Sequence, residues 1–283
     1  VNEVLAGAGG TVQLTFYDAN GDPVDPGAVT ATVKDSAGVE IAGSPFGTTG
    51  TSTRSFTLPV TLAVLDVYSV TWNVPDGSKR YSAFEMVGGF VFTLADLRAF
   101  DAELTEAAYS DARVRAAREY VQEVFEDESV TGVAFRPRGR RAKRDGTDTT
   151  DLVLPDPLPR SVVSAKVDDV ALTAAELADL VLYRHGKVRR KSGRWSAGIG
   201  NVEVFYEHGH AERPAPINEA ALRLARHVLV RSGMASDRAT VQFTEIGAFR
   251  LSVAGRDGWT GLPEVDAVLK QYAWARATIG GLA

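Results

Sequence analysis

The chain has 283 residues, 45% of them hydrophobic and 24% charged, with a formal net charge of −5. That balance excludes a mainly disordered chain and supplies apolar material for one large or two ordinary domains. Cysteine is absent, which excludes disulfides, thiolate metal sites and cysteine nucleophiles and fits a reducing cytoplasm. No apolar run approaches the roughly 20 residues of a membrane span. No basic, apolar leader is read, so a secretory signal is expected to be absent or already removed.

Charge is unevenly spread. Residues 1–89 carry four bases and nine acids, and the remainder is neutral. Within that remainder, residues 136–194 hold fourteen bases and eight acids, a local basic island.

Residues 11–87 read as β-structure. Val12, Leu14 and Phe16 alternate with Thr11, Gln13 and Thr15, the period-two pattern of a half-buried strand. Further strands are expected at Val29–Lys34, Val39–Ala42, Arg54–Val60, Val67–Val74 and Arg80–Val87, with Asp76-Gly77 as a hairpin signal. Six short strands at this spacing predict a small β-sandwich of immunoglobulin-like type, with Tyr68 and Trp72 in its core. Phe16, Tyr17 and Tyr81 are assigned to the same core alternation.

The period changes after Gly88-Gly89. Thr93 and Asp96 predict a capping box opening a helix through Leu94, Leu97 and Phe100. Ser110 is expected to cap a longer helix, 111–126, with Val114, Ala117, Val121, Val124 and Phe125 as its apolar stripe. The acids Glu126-Asp127-Glu128 sit at the electrostatically poor end of that helix, so a partner or water must offset them. Residues 136–151 show no periodicity and read as an exposed basic loop. Residues 152–208 return to short strands around a helical turn capped by Thr173 and Glu176. Asp168-Asp169 reads as a turn and His185-Gly186 as a hairpin bend. Pro214-Ala-Pro216 opens a strong helix to Arg231, with Leu222, Ala225, Val228 and Leu229 buried and Gly233 closing it. An extended hairpin around Gly247 and a last helix from Pro263 to about Ala277 complete the reading. The fold class is thus α+β and multidomain: an immunoglobulin-like sandwich over residues 1–88, then a helical connector domain with a small sheet over residues 89–283.

No catalytic signature stands out. Glu207, His208, His210 and Glu212 are the densest set of metal-ligand types, and a metal hydrolase using His208 and His210 is one alternative. No phosphate-binding glycine motif and no nucleophile elbow occur, and no cofactor is expected. The basic segments are the more informative features. Arg136, Arg138, Arg140, Arg141, Lys143 and Arg144 form one cluster. Arg184, Lys187, Arg189, Arg190, Lys191 and Arg194 form another, beside Trp195. Three readings stand: contact with nucleic-acid phosphates, docking to an acidic protein surface, or solvated loops. Trp195 is read as a packing residue. A carbohydrate- or surface-binding sandwich is a further alternative, for which exposed aromatic rings would be needed.

From residue 93 to 277 the order of features carries a resemblance. Phe92-Thr-Leu-Ala-Asp-Leu-Arg98 is followed by Tyr109-Ser-Asp-Ala-Arg113 and Gly132-Val-Ala-Phe-Arg-Pro-Arg138. Leu158-Pro-Arg-Ser-Val-Val-Ser-Ala-Lys-Val-Asp168 precedes Asn201-Val-Glu-Val-Phe-Tyr-Glu-His-Gly209, and Pro214-Ala-Pro-Ile-Asn-Glu-Ala-Ala-Leu222 starts the strong helix. This stretch, about two-thirds of the chain, resembles the head-to-tail adaptor (head–tail connector) proteins of long-tailed bacteriophages, in particular those of actinobacterial phages. The resemblance lies in succession and phrases, not in a catalytic signature. It implies a non-enzymatic virion protein at the neck, made in the host bacterial cytoplasm. Such proteins form a ring, usually of twelve copies, between the portal protein and a stopper or tail-completion protein, with the genome passing through and no membrane contact. It points to Val114, Val121, Phe125, Leu222 and Leu229 for packing between subunits. It points to Leu269, Tyr272, Trp274, Ile279 and Leu282 for portal docking. Residues 1–87 depart from the family pattern, and an appended sandwich is expected on the outside of the neck.

Overall fold

The computed structural model describes residues 2–231, 240–243, 249–252 and 258–274. The fold is mixed α+β and divides into two compact units. One comprises Val1–Gly89, Pro137–Pro155 and Pro159–His208; the other comprises Phe90–Arg136, Asp156–Leu158 and Gly209–Ala283.

The chain opens with seven strands: β1 (Asn2–Leu5), β2 (Gly10–Thr15), β3 (Thr30–Lys34), β4 (Phe46–Gly47), β5 (Thr53–Leu58), β6 (Val67–Asn73) and β7 (Lys79–Val87). They form two sheets, ordered β1-β7-β6-β3-β4 and β2-β5, around one core. Strand β6 shows why. Tyr68, Val70 and Trp72 alternate with Val67 and Ser69, and all three are buried. Trp72 meets Phe16 and Phe56 edge-on, at centroid distances of 6.4 and 5.5 Å, and its Nε1 donates to Ser82 Oγ at 2.9 Å. The Asp76-Gly77 turn closes the β6–β7 hairpin as expected, with Gly77 at φ 85°. Strand β1, not anticipated from the sequence, runs parallel to β7. The strand expected at Val39–Ala42 shrinks to a single bridge between Lys34 and Glu40. Tyr17 and Tyr81 correct the core assignment: they are 56% and 73% exposed.

Helices α1 (Leu94–Phe100) and α2 (Asp111–Glu126) follow. The Thr93–Asp96 capping box forms in both directions. Ser110 is the N-cap of α2 but makes no side-chain cap bond.

The segment read as an exposed loop is instead a strand, β8 (Arg138–Gly146), followed by β9 (Asp151–Val153). Then come β10 (Pro159–Val167), β11 (Val170–Ala171), α3 (Ala174–Ala178), β12 (Leu180–Leu182), β13 (Lys187–Arg190) and β14 (Gly198–His208). Their sheets are ordered β11-β10-β14-β8 and β12-β13-β9. Trp195, Val188, Val202, Val204 and Tyr206 fill the core they share. Among the described residues strand β8 pairs only with β14, as an edge strand; its basic side chains protect that edge and erase the apolar alternation a strand usually displays. Asp168 and Asp169, at φ 51° and 63°, make the two-residue β10–β11 turn.

Residues 137–208 were expected to belong with the helices. Most of them share a unit with residues 1–89 instead, and two contacts show how. Arg138 forks onto Glu85 of β7, at 2.6 and 2.7 Å. Gly139 passes so close to the chain at Leu65 that a Cβ there would lie 1.7 Å from the Leu65 carbonyl oxygen, which only glycine tolerates.

Helix α4 (Ala215–Arg231), strands β15 (Thr240–Phe243) and β16 (Phe249–Ser252) and helix α5 (Pro263–Tyr272) complete the described elements. Strands β15 and β16 pair antiparallel, matching the expected hairpin; its turn at Gly247, and Gly233, lie outside the described residues. Helix α5 stops at Tyr272 rather than near Ala277, because Ala273 takes ψ 123°. Helices α1, α2, α4 and α5 enclose a single apolar core that includes Val114, Val121, Phe125, Ala221, Leu222, Leu229 and Leu269.

Candidate functional site

The structure sorts the basic residues by what they already hold. Arg136 is 3% exposed and lies 3.4 Å from the Glu126 carboxylate, inside the helical unit. It is therefore withdrawn from any DNA-facing surface, and it supplies the offset that the acidic end of α2 demanded. Arg138 is committed to Glu85, as above. Arg141 donates to Glu203 at 2.9 Å and to Ser36 Oγ at 3.1 Å, with its guanidinium over the Phe205 ring. Arg190 binds Glu176 at 2.8 Å and lies over Trp195. Arg194 reaches Asp148 at 3.4 Å, both side chains being exposed. Arg138, Arg141 and Arg190 thus brace the fold and are corrected from free contacts to structural ones. Arg140, Lys143, Arg184 and Lys191 are exposed.

Two remote basic stretches do converge. Lys143, Arg144, Asp145, Thr147, Asp151, Leu152 and Val153 line a cleft of about 470 Å³ between β8 and β9. Pairing of β9 with β13 sets Asp151 opposite Arg189 and Val153 opposite Lys187. Asp151 then accepts from Arg189 at 2.6 and 2.9 Å and pairs with Lys187 at 2.7 Å. Both cations also lie over the Tyr183 ring, 5.3 and 5.8 Å from its centroid. The cleft is therefore lined by two cations and two carboxylates, and one of the carboxylates, Asp151, is held from β13 by Lys187 and Arg189.

The hydrogen bonds from Arg189 and Lys187 hold the Asp151 carboxyl far below the usual carboxylate range. A carboxylate held low contributes its stabilisation above its unfolded-state pKa and loses it only as the pH falls through the folded value. The clip is thus expected to stay intact from pH 7 to below about pH 3.9, the ordinary aspartate value. NMR titration of the Asp151 side chain should show a midpoint well below that of free aspartate. Arg189→Gln should raise the midpoint; an unchanged one would contradict the geometry.

The other sequence candidates disperse. Among the described residues, no group of three or more metal-ligand side chains comes together. His208 is buried beside Tyr206, whereas His210 stacks on Phe135 at 5.6 Å and meets Tyr272 at 6.1 Å. Val114, Val121, Phe125, Leu222 and Leu229 are buried in the core of their own unit, so they have little surface left for a neighbouring subunit. Leu269 is likewise fully buried. Tyr272 and Trp274 pack on the same core, and the Trp274 amide donates to the Thr131 carbonyl at 2.8 Å. Leu269 is thus corrected from a free docking residue to a core residue, while Tyr272 and Trp274 are half-buried; Ile279 and Leu282 lie outside the described residues. The exposed Tyr17 follows β2 and the exposed Tyr81 lies on β7, and among the described residues no ring contact joins them.

Sequence reading missed one apolar feature. Ile199 is 96% exposed on a bulge of β14. The Asp145 carboxylate accepts from the Gly200 amide at 2.6 Å, and the Asn201 side-chain oxygen accepts from the Gly146 amide at 2.9 Å. The tripeptide Gly198-Ile-Gly200 is the signal that could have marked it, because glycines on both sides of an isoleucine favour a projecting tip over a packed strand.

Among the described residues, no helix is long and apolar enough to cross a membrane. Comparisons of the sequence with family models and with curated proteins return no match.

Proposed function

We propose that this chain is a non-enzymatic structural protein of a bacteriophage virion: a head-to-tail adaptor that forms a ring, of about twelve copies on the family pattern, around the DNA channel at the neck. The reading rests on the sequence resemblance over residues 93–277. The observation that carries it is the order of elements along the chain from Leu94 to Arg231. A capped α1, a long α2, an inserted β region and a proline-opened α4 follow in the order of the resembling segments. On this reading the partners are the portal protein on one side and a stopper or tail-completion protein on the other. The first seven strands serve as an appended immunoglobulin-like domain on the outside of the neck.

A ring needs two different patches on each subunit that close by rotation. The apolar stripes of α2 and α4 are spent internally, so the contact falls to outer faces. On α2 that face carries Ala112, Arg115, Ala116, Tyr120 and Glu123, all exposed, with Tyr120 at 49%. A half-exposed tyrosine among small and charged residues has the composition of an interface anchor.

Sedimentation of the purified chain tests this. The wild type should form a closed assembly of many copies. Tyr120→Asp should weaken self-association at least tenfold while leaving the thermal unfolding midpoint unchanged. A wild type that remains monomeric at high concentration would overturn the proposal.

A further inference from the structure

We propose that the cleft between β8 and β9 is a phosphate-binding site for the backbone of duplex DNA, with Lys143 and Arg144 as its charged ligands and the Thr147 hydroxyl at its rim. The inference narrows the basic island to one place, because most of its cations already have partners. It deepens the adaptor reading and rests on that reading for naming DNA as the source of the phosphate.

The carboxylates in the cleft are already engaged. Both Asp151 oxygens are taken by Lys187 and Arg189, and Asp145 accepts the Gly200 amide. Glu203, which faces Lys143 across the β8–β14 ladder, is bound by Arg141. The residue facing Arg144 is Val202, which offers no charge. Among the described residues, Lys143 and Arg144 therefore have no carboxylate partner, and the Arg144 Nε is buried with no hydrogen-bond acceptor. Two cations without a carboxylate partner, in an open cleft whose two acids are already engaged, favour an anion with several acceptor oxygens. A guanidinium fork matches phosphate geometry, and a neighbouring ammonium adds charge without fixing direction. Leu152 and Val153 give the cleft an apolar wall with no array of base-reading groups, so binding should be indifferent to sequence.

The test measures binding of the full chain to a fluorescent duplex of mixed sequence, about 20 base pairs long, between about 50 and 200 mM salt. The Lys143→Ala/Arg144→Ala double variant is compared with Lys191→Ala, which removes one exposed cation outside the cleft. Duplex binding by the wild type should be sequence-independent. The double variant should weaken it at least tenfold and flatten the dependence of log affinity on log salt by about two. Lys191→Ala should do neither. Equal affinity in the double variant and the wild type would overturn the site. Inorganic phosphate provides the second arm: if it shifts the Arg144 Nε–H resonance while the duplex does not bind, the cleft takes free phosphate and the DNA assignment is wrong. Sedimentation of the same samples separates the two failures. Closed assemblies without duplex binding defeat this site alone; duplex binding by a chain that never assembles defeats the adaptor reading alone.

Discussion

Replacing Arg136 with alanine is expected to destabilise the helical unit by about 3–5 kcal/mol, the cost of breaking a buried ion pair. Glu126 occupies the last turn of α2, where unsatisfied carbonyls already place negative potential and a carboxylate is disfavoured. The Phe135 amide donates to its Oε1 at 3.0 Å, and the Arg136 guanidinium lies 3.4 Å away. Both side chains are nearly excluded from solvent, at 3% and 7% exposure. Removing Arg136 leaves that carboxylate buried without its cation. Removing both charges together, as Arg136→Met with Glu126→Leu, should recover most of the loss, because the pair repays little beyond its own desolvation. Urea denaturation of the full chain and the two variants checks this. A loss below about 1 kcal/mol for Arg136→Ala would show that solvent reaches the pair.

Trp72→Ala should cost the first unit a similar amount, about 3–5 kcal/mol, the usual penalty for emptying a large aromatic site in a core. Trp72 is fully buried, and its ring joins the sheet of β6 to the β2-β5 sheet through Phe16 and Phe56. The indole also satisfies Ser82. Trp72→Phe should cost less than alanine but more than the lost volume alone, since Ser82 then loses its donor. Chemical denaturation followed by far-ultraviolet circular dichroism reads both variants. Equal stability of wild type and Trp72→Ala would mean that the two sheets do not depend on this contact.

What could be read from the sequence follows from how local each signal is. Strand β6 was visible because one face is buried and the other wet, so the alternation is written directly in the residues. Thr93–Asp96 and Thr173–Glu176 were visible because a capping box spans only four positions. Strand β8 was hidden, since a charged edge strand replaces the apolar face with arginines and lysine. The grouping of residues 137–208 with the first unit was equally hidden. It depends on pairs such as Arg138 with Glu85, 53 positions apart, and on a glycine approach that leaves no chemical mark. The basic residues were identifiable by type, but their partners were not. Glu85, Asp151, Glu176 and Glu203 come from four different elements, and only the fold decides which cation each neutralises. The helix stripes were correctly placed on the buried side of α2 and α4. Those stripes pack the core of their own unit and leave little surface for a neighbouring copy.

The most direct measurement is an electron-microscopic reconstruction of intact phage particles carrying this chain. The proposed adaptor role predicts a closed ring of copies at the head–tail junction, touching the portal on one side, with the first seven strands pointing away from the channel. Finding the chain anywhere else in the particle, with no portal contact, would contradict it.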